Sequence, residues 1–190
     1  VTLGLAAAIL GAVTVGYGLI RHRPELVRLS RWYAGLVFLG GLLAAIAMER
    51  ALITRDFTVL YVADNGSTKT PALYNFATLW GALEGSIILW ALILGGYLMA
   101  VVLKFRKRLA DPLVGWAIFT MLIVCIFFFW MLVGPANPFK SFSPPPGFDG
   151  PGPNPLLQNH VLVVFHPPIL YLGYVGMTVP FAFAIAALIT

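Results

Sequence analysis

Residues 112–133 read PLVGWAIFTMLIVCIFFFWMLV and contain no charged side chain. An α-helix rises about 1.5 Å per residue, so about 20 apolar residues cross the roughly 30 Å apolar core of a bilayer. Asp111 precedes the run and Pro112 opens it, which is typical of a helix start, because a proline in the first turn gives up no hydrogen bond. The stretch therefore predicts a membrane-spanning helix and indicates the fold class of the whole chain.

Four further stretches are apolar over a comparable length. We expect them to span the membrane as well, at residues 1–20, 32–48, 75–103 and 167–190. The two longest segments between the spans are residues 49–74 and 134–166. The predicted fold is therefore all-α: a polytopic membrane protein with about five transmembrane helices that form a single domain.

The composition of the chain agrees with this fold class. Of the 190 residues, 60% are hydrophobic and only 10% are charged, and the mean hydropathy is +0.91. A soluble domain carries about 25% charged residues, so the composition excludes an ordinary soluble enzyme, a disordered protein and a nucleic-acid binder. Cys125 is the only cysteine, which excludes an intrachain disulfide and a multi-cysteine metal site.

The basic residues predict how the helices are oriented. The net charge is +5, and most of the arginines and lysines fall in two short linkers: Arg21, Arg23, Arg28, Arg31, Lys104, Arg106, Lys107 and Arg108. Short basic loops stay on the cytoplasmic side of a membrane. We therefore expect the N-terminus and the loops 49–74 and 134–166 to face outward, and the excess charge to report topology rather than a polyanionic partner.

The second long loop is dominated by proline and glycine. Residues 134–155 hold too many of both for a regular helix or a central strand. Asn154 and Pro155 are typical of a helix cap and a first helical residue. The apolar residues that follow recur at helical spacing: Leu156, Leu157, Val161, Val164 and Phe165. The pattern predicts a Pro-rich external loop that ends in a short interfacial helix.

His166 is the strongest candidate for a residue with a chemical role. It precedes Pro167 and Pro168, and a residue before proline avoids the α conformation. We therefore expect His166 outside the helix, at the outer mouth of the last span, where the helix dipole and partial burial favour the neutral imidazole that binds metals. The residues alone leave open a metal ligand or an interfacial polar side chain. His160 and His22 are expected to be solvated.

Glu84 is an ionisable side chain within a predicted span. If that span begins near Asn75, Glu84 lies about 13 Å inside the membrane; if it begins at Ile87, Glu84 is interfacial. A functional carboxylate and one that only hydrogen-bonds to a neighbouring helix are equally open. The aromatic side chains in and near the spans can line an apolar pocket or face lipid, and we expect most of them to face lipid: Trp80, Trp90, Trp130 and the phenylalanines at 127–129.

Longer motifs carry a resemblance to a known family. Residues 74–86 read YNFATLWGALEGS, residues 154–158 read NPLLQ, and residues 165–176 read FHPPILYLGYVG. From about residue 50 onward the chain resembles the N-terminal part of the CcmF family, the haem lyase subunits of the bacterial cytochrome c maturation system. The first two spans fit this family loosely.

The resemblance implies a role for His166. In this family the histidine of the His-Pro-Pro run is one of two external axial ligands of a haem iron, and the two flank a tryptophan-rich motif that cradles the porphyrin. His166 matches the first ligand, and Glu84 is expected near the site. The tryptophan-rich motif, the second histidine and the ligands of a second, b-type haem have no counterpart here. We therefore expect a portion of a longer protein, inactive by itself.

The resemblance also implies partners and a location. Family members take haem from a periplasmic haem chaperone and, with a thiol-reducing subunit, help attach it to the cysteines of an apocytochrome c. The chain is then expected in the bacterial inner membrane, with its N-terminus and His166 on the periplasmic side. Two other functions stay open: a transporter of haem or another solute with Glu84 in its path, and a structural subunit whose Pro-rich loop docks partners.

Overall fold

The computed structural model describes residues 1–156 and 160–190, and most of them are helical. The helices are, in chain order, α1 (Thr2–Ile20), α2 (Pro24–Val27), α3 (Ser30–Thr54), α4 (Leu60–Asn65), α5 (Ala72–Ala77), α6 (Leu83–Lys104), α7 (Pro112–Val133), α8 (Leu162–Gly176) and α9 (Thr178–Ile189). A 3₁₀ turn at Thr78–Trp80 precedes α6. The described residues form no β-strand beyond an isolated pairing of Val59 with Ser141.

Five helical stretches are long and apolar enough to cross a membrane. Within the described part of the chain they cover Thr2–Ile20, Pro24–Thr54, Leu83–Lys104, Pro112–Val133 and Leu162–Ile189. The predicted all-α, polytopic membrane fold is therefore confirmed. Large apolar side chains, among them Val13, Ile20 and Leu103, are exposed on the outside of the bundle. This is the surface expected of helices whose outer faces meet lipid rather than water.

Helix α6 has the most neighbours in the bundle, since it packs against α3, α7, α8 and α9. Helix α7 packs against α1, α6 and α9, while α3 packs against α1 and α6. The largest side chains fully buried between the helices are apolar and include Phe129, Met48, Leu52, Ile88 and Met121. Lipid tails are as apolar as these side chains, so close packing and internal hydrogen bonds, rather than the hydrophobic effect, hold such helices together.

Glycines allow α3 to approach its two neighbours closely. A methyl group added to Gly40 would lie 2.7 Å from the backbone nitrogen and the Cα of Gly4 on α1. One added to Gly41 would lie 3.0 Å from the Cα of Leu92 on α6. These two crossings leave no room for a side chain, so the glycines set the distance from α3 to the helix on either side.

Helices α3 and α6 differ from their predicted limits. Residues 49–54, expected in a loop, continue α3 as far as Thr54, because Glu49 and Arg50 are good helix formers and a helix need not stop where the apolar run does. The third span, expected as one helix from residue 75, is interrupted at Ala82, whose backbone is extended (φ −138°, ψ 171°). The segment before α6 therefore contains α4, α5 and the 3₁₀ turn.

The short interfacial helix predicted after Asn154 is not a separate element in the described residues. The side-chain oxygen of Asn154 accepts a hydrogen bond from the N–H of Leu156 at 3.0 Å, and residues 155–156 form a turn. Val164 belongs to α8, which leads directly into the last span. The part of the prediction that concerns Leu157 lies outside the described residues.

The two long loops pair with each other at one end of the bundle, which we call the loop end. The N–H of Leu60 donates to the carbonyl oxygen of Lys140 at 2.8 Å, and the N–H of Phe142 donates to that of Thr58 at 2.7 Å. The segment after α3 therefore runs beside the segment after α7, and the two form one connected layer.

Asp149 fastens the Pro-rich part of this layer. Its carboxylate accepts hydrogen bonds from the N–H and the hydroxyl of Thr68 at 2.8 and 2.7 Å, and from the hydroxyl of Ser67 at 3.3 Å. Nearby, the N–H of Gly152 donates to the carbonyl oxygen of Gly66 at 3.1 Å. These bonds, the one from the Thr68 N–H foremost, lower the pKa of Asp149.

The two short basic linkers meet at the opposite end, which we call the linker end. His22 and Arg23 of the first linker and Ala110 of the second line the same cavity. At this end Asp111 caps α7 by accepting a hydrogen bond from the N–H of Leu113 at 3.1 Å. The basic linkers and the paired loops therefore lie at opposite ends of the bundle.

We predict that Gly40→Ala destabilises the bundle, because its methyl group would have to push α1 and α3 apart. The expected loss is about 1–3 kcal/mol of unfolding free energy, measured as a lower midpoint of thermal unfolding in detergent. Gly35→Ala is the matched control on the same helix, since a methyl group there meets nothing within 4 Å. Equal midpoints for the two variants would contradict the close crossing.

We predict that the attachment of the Pro-rich loop depends on pH through Asp149. The folded-state pKa is lowered, so the stabilisation is complete above the unfolded-state pKa of about 3.9 and disappears as the pH falls through the lower folded-state value. Asp149→Asn should speed hydrogen exchange at the Thr68 amide near neutral pH and make little difference in strong acid. Asp64→Asn, which removes the same charge elsewhere at the loop end, should leave that amide protected.

Candidate functional site

His166 lies inside α8, and the expectation that it lies outside the helix is wrong. The helix begins at Leu162, so His166 stands one turn after its start and Pro167 and Pro168 are interior residues. The steric preference against an α conformation before proline is overridden here. The cost is the hydrogen bond that a backbone N–H at position 167 would make to the carbonyl oxygen of Val163.

The carbonyl oxygen that Pro167 leaves without its usual donor is bonded by a side chain from the 3₁₀ turn before α6. The indole N–H of Trp80 donates to the oxygen of Val163 at 2.7 Å. Trp80 is only 8% exposed and packs edge to face against Phe76, with the ring centroids 5.2 Å apart. Of the two positions left open for Trp80, inside an apolar pocket or toward lipid, the buried one is observed. The backbone N–H that Pro167 lacks is the sequence signal that could have indicated it.

His160 lies two residues before the start of the same helix. Its Nδ1 accepts a hydrogen bond from the N–H of Leu162 at 3.3 Å, which satisfies one of the donors that a helix start leaves unpaired. A neutral imidazole that accepts at Nδ1 carries its proton on Nε2. His160 in this arrangement therefore offers no lone pair to a metal, whereas its ring can still donate a hydrogen bond.

A groove of about 410 Å³ lies beside the start of α8. Its walls are Leu156, His160, Leu162, Val163, His166 and Pro167, so apolar surface surrounds two imidazoles. His166 is exposed at this groove, and a neutral imidazole is a common ligand of iron and other transition metals. The groove therefore offers one imidazole that could be an axial ligand of a haem iron, and apolar side chains that could contact the edge of a porphyrin.

Aromatic side chains hold α8 against α6 beyond the groove. Trp90 on α6 packs against Tyr171 and Tyr174 on α8, with both ring centroids 5.4 Å away. The hydroxyl of Tyr97 donates to the carbonyl oxygen of Leu172 at 2.9 Å. Trp90 is thus also turned toward a neighbouring helix, whereas Trp130 is 55% exposed and faces outward as expected.

Glu84 lies in a different place from His166. It stands in the first turn of α6, where the positive end of the helix dipole stabilises a carboxylate, so of the two depths left open the position at the helix start is the observed one. It lines a small cleft of about 60 Å³ together with polar side chains of both long loops: Asp64, Asn65, Asn137 and Lys140. The cleft and the His166 groove share no lining residue.

Glu49 is a candidate functional residue that the sequence does not reveal, because a charged pair such as Glu49–Arg50 is typical of the end of a span. Both carboxylate oxygens are buried and have no hydrogen-bond partner among the described residues. Glu49 lines an apolar groove of about 490 Å³ whose other walls include Ile53, Trp80 and Leu89. Trp80 therefore stands between this groove and the start of α8.

Comparison with protein families matches residues 80–190 to the family described as Cytochrome C assembly protein. The chain is 39% identical over 188 residues to the cytochrome c-type biogenesis protein CcmF of Escherichia coli (strain K12), which covers 99% of this chain and 29% of that protein. It is 44% identical over 167 residues to the CcmF of Pseudomonas fluorescens, covering 87% of this chain and 24% of that protein.

A solved structure described as Cytochrome c Heme Lyase CcmF has the same fold. It superposes with a TM-score of 0.81 at 33% identity, over 98% of this chain and 28% of that one. The chain thus spans less than a third of the length of these relatives and corresponds to their N-terminal portion. The family match covers more than half of the chain, and the chain therefore belongs to the cytochrome c assembly protein family.

Proposed function

We propose that this chain is an N-terminal membrane-spanning portion of a haem-handling protein of cytochrome c maturation, and that His166 is one axial ligand of a haem bound at the loop end. The observation that carries the proposal is the exposed imidazole of His166, which lies directly before two prolines of α8 at the edge of an apolar groove. The family match and the names of the relatives support the same process.

Each wall of the groove has a part in this proposal. The neutral Nε2 or Nδ1 of His166 binds the iron of the haem, which is here a substrate that brings the vinyl groups for attachment to an apocytochrome. Leu162, Val163 and Pro167 pack against the porphyrin edge and exclude water from it. The ring of His160, whose Nδ1 is engaged by Leu162, donates a hydrogen bond to a polar substituent such as a propionate.

The remaining parts of the activity belong to segments of the relatives that this chain does not cover. We place there the second axial ligand, the tryptophan-rich surface and the ligands of a b-type haem. Lyase activity is then a property of the full-length protein in its complex, with a haem chaperone, an apocytochrome c and its thiol-reducing subunit as partners. This chain supplies five membrane-spanning helices and one of the two axial ligands of the iron.

Glu84 has an indirect part in the proposal. Its cleft is lined by Asp64 of the first long loop and Lys140 of the second, so its carboxylate stands where the two loops meet above α6. We propose that Glu84 steadies the loops that border the haem site and does not itself touch the haem.

We predict that His166→Ala in the full-length protein lowers haem occupancy at the loop end at least tenfold and abolishes cytochrome c maturation, because the iron loses an axial ligand. Haem absorption of the purified protein and the yield of holocytochrome in cells measure the two effects. His22→Ala, at the linker end, is the control and should change neither. An unchanged haem spectrum in His166→Ala would exclude His166 as a ligand.

We predict that the loop end faces the periplasm of a bacterial inner membrane. In a version with Cys125 replaced by serine, Ser143→Cys should react with a membrane-impermeant maleimide added to intact spheroplasts. Lys107→Cys, in a basic linker, should react only after the membrane is opened. The reverse pattern of labelling would overturn the orientation that the basic linkers predict.

A further inference from the structure

We propose that Trp80 is the positioning residue for His166: its indole N–H replaces the backbone N–H that Pro167 lacks and so fixes the turn of α8 that carries the imidazole. The consequence for haem rests on the proposed function. The hydrogen-bonding role itself follows from the contacts around Val163 and does not depend on it.

The first step of the argument is the gap that Pro167 makes. In an α-helix the N–H of residue 167 would bond to the carbonyl oxygen of residue 163, and proline has no N–H. The segment borders an apolar groove, where an unpaired carbonyl costs free energy because water does not replace the missing donor. The distance of 2.7 Å from the indole nitrogen of Trp80 to this oxygen is at the short end of the usual range.

The second step is that Trp80 is itself held firmly. It ends the 3₁₀ turn Thr78–Trp80, and the N–H of Gly81 closes that turn by donating to the oxygen of Thr78 at 3.0 Å. The hydroxyl of Ser86, in the first turn of α6, donates to the carbonyl oxygen of Trp80 at 3.1 Å. The indole of Trp80 therefore holds Val163 at a fixed position relative to α6. Val163 lies about one helical turn before His166.

The third step concerns the imidazole. The turn that carries His166 has lost a backbone hydrogen bond and would bend without a substitute. A ligand held in its binding geometry loses less conformational entropy when it binds, so fixing the turn raises the affinity of His166 for iron. A contact outside the ligand shell that orients a ligand also tunes the metal. Trp80 touches neither iron nor porphyrin in this scheme; it acts through Val163.

A double-mutant cycle in the full-length protein tests the role. Trp80→Phe removes the donor and keeps an aromatic ring, and we expect haem binding about five- to tenfold weaker, as for the loss of one hydrogen bond. Pro167→Ala restores the backbone N–H that bonds Val163. In the Pro167→Ala background, Trp80→Phe should therefore have almost no effect. Equal losses in both backgrounds would mean that Trp80 only packs, and would overturn the proposal.

A readout without haem separates this proposal from the proposed function. Hydrogen exchange of the backbone amides in residues 162–170 should accelerate in Trp80→Phe and should not accelerate when Pro167→Ala is also present. Trp130→Phe, which changes an outward-facing indole, is the control and should leave this exchange unchanged. If the exchange cycle shows coupling while His166→Ala keeps its haem, the positioning role stands and the haem assignment falls. If His166→Ala loses haem and the exchange effects are additive, the positioning role falls.

Discussion

Every backbone N–H and C=O group in an apolar environment needs a partner from the protein, because no water is present to replace one. This constraint explains why the chain is built from long helices, which satisfy the backbone internally. It also explains why the one span with paired prolines near its start depends on a side chain from elsewhere. The hydrogen bond from Trp80 to Val163 supplies the donor that Pro167 lacks within α8.

Much of the fold could be predicted from the sequence, because an uncharged apolar run as long as residues 112–133 is typical of a membrane-spanning helix. The limits of the helices were harder to predict. Nothing local shows that α3 continues through Glu49 to Thr54, or that the backbone breaks at Ala82, since glutamate and alanine are both good helix formers. Those limits follow from contacts with other segments, as where the side-chain amide of Asn75 donates to the carbonyl oxygen of Leu52.

The candidate site was predictable in part. His166 could be singled out from its own motif, but its position inside the helix depends on the bond from Trp80 to Val163, two residues that lie 83 positions apart in the chain. The local rule for residues before proline pointed the other way. The sequence predicts a solvated His160, yet this side chain lines the same groove as His166 because α8 starts just beyond it. A single sequence does not contain these pairings.

The pairing of the two long loops also bears on the order in which the protein is made. The segments that meet at the loop end are far apart in the chain, since Asp149 lies 81 positions after its partner Thr68. During synthesis the first loop, residues 49–74, is made before α6 and α7 are inserted. It has no partner at the loop end until the second loop, residues 134–166, has been made. The layer at the loop end is therefore closed only after the fourth span has been made, because Asp149 follows α7 in the chain.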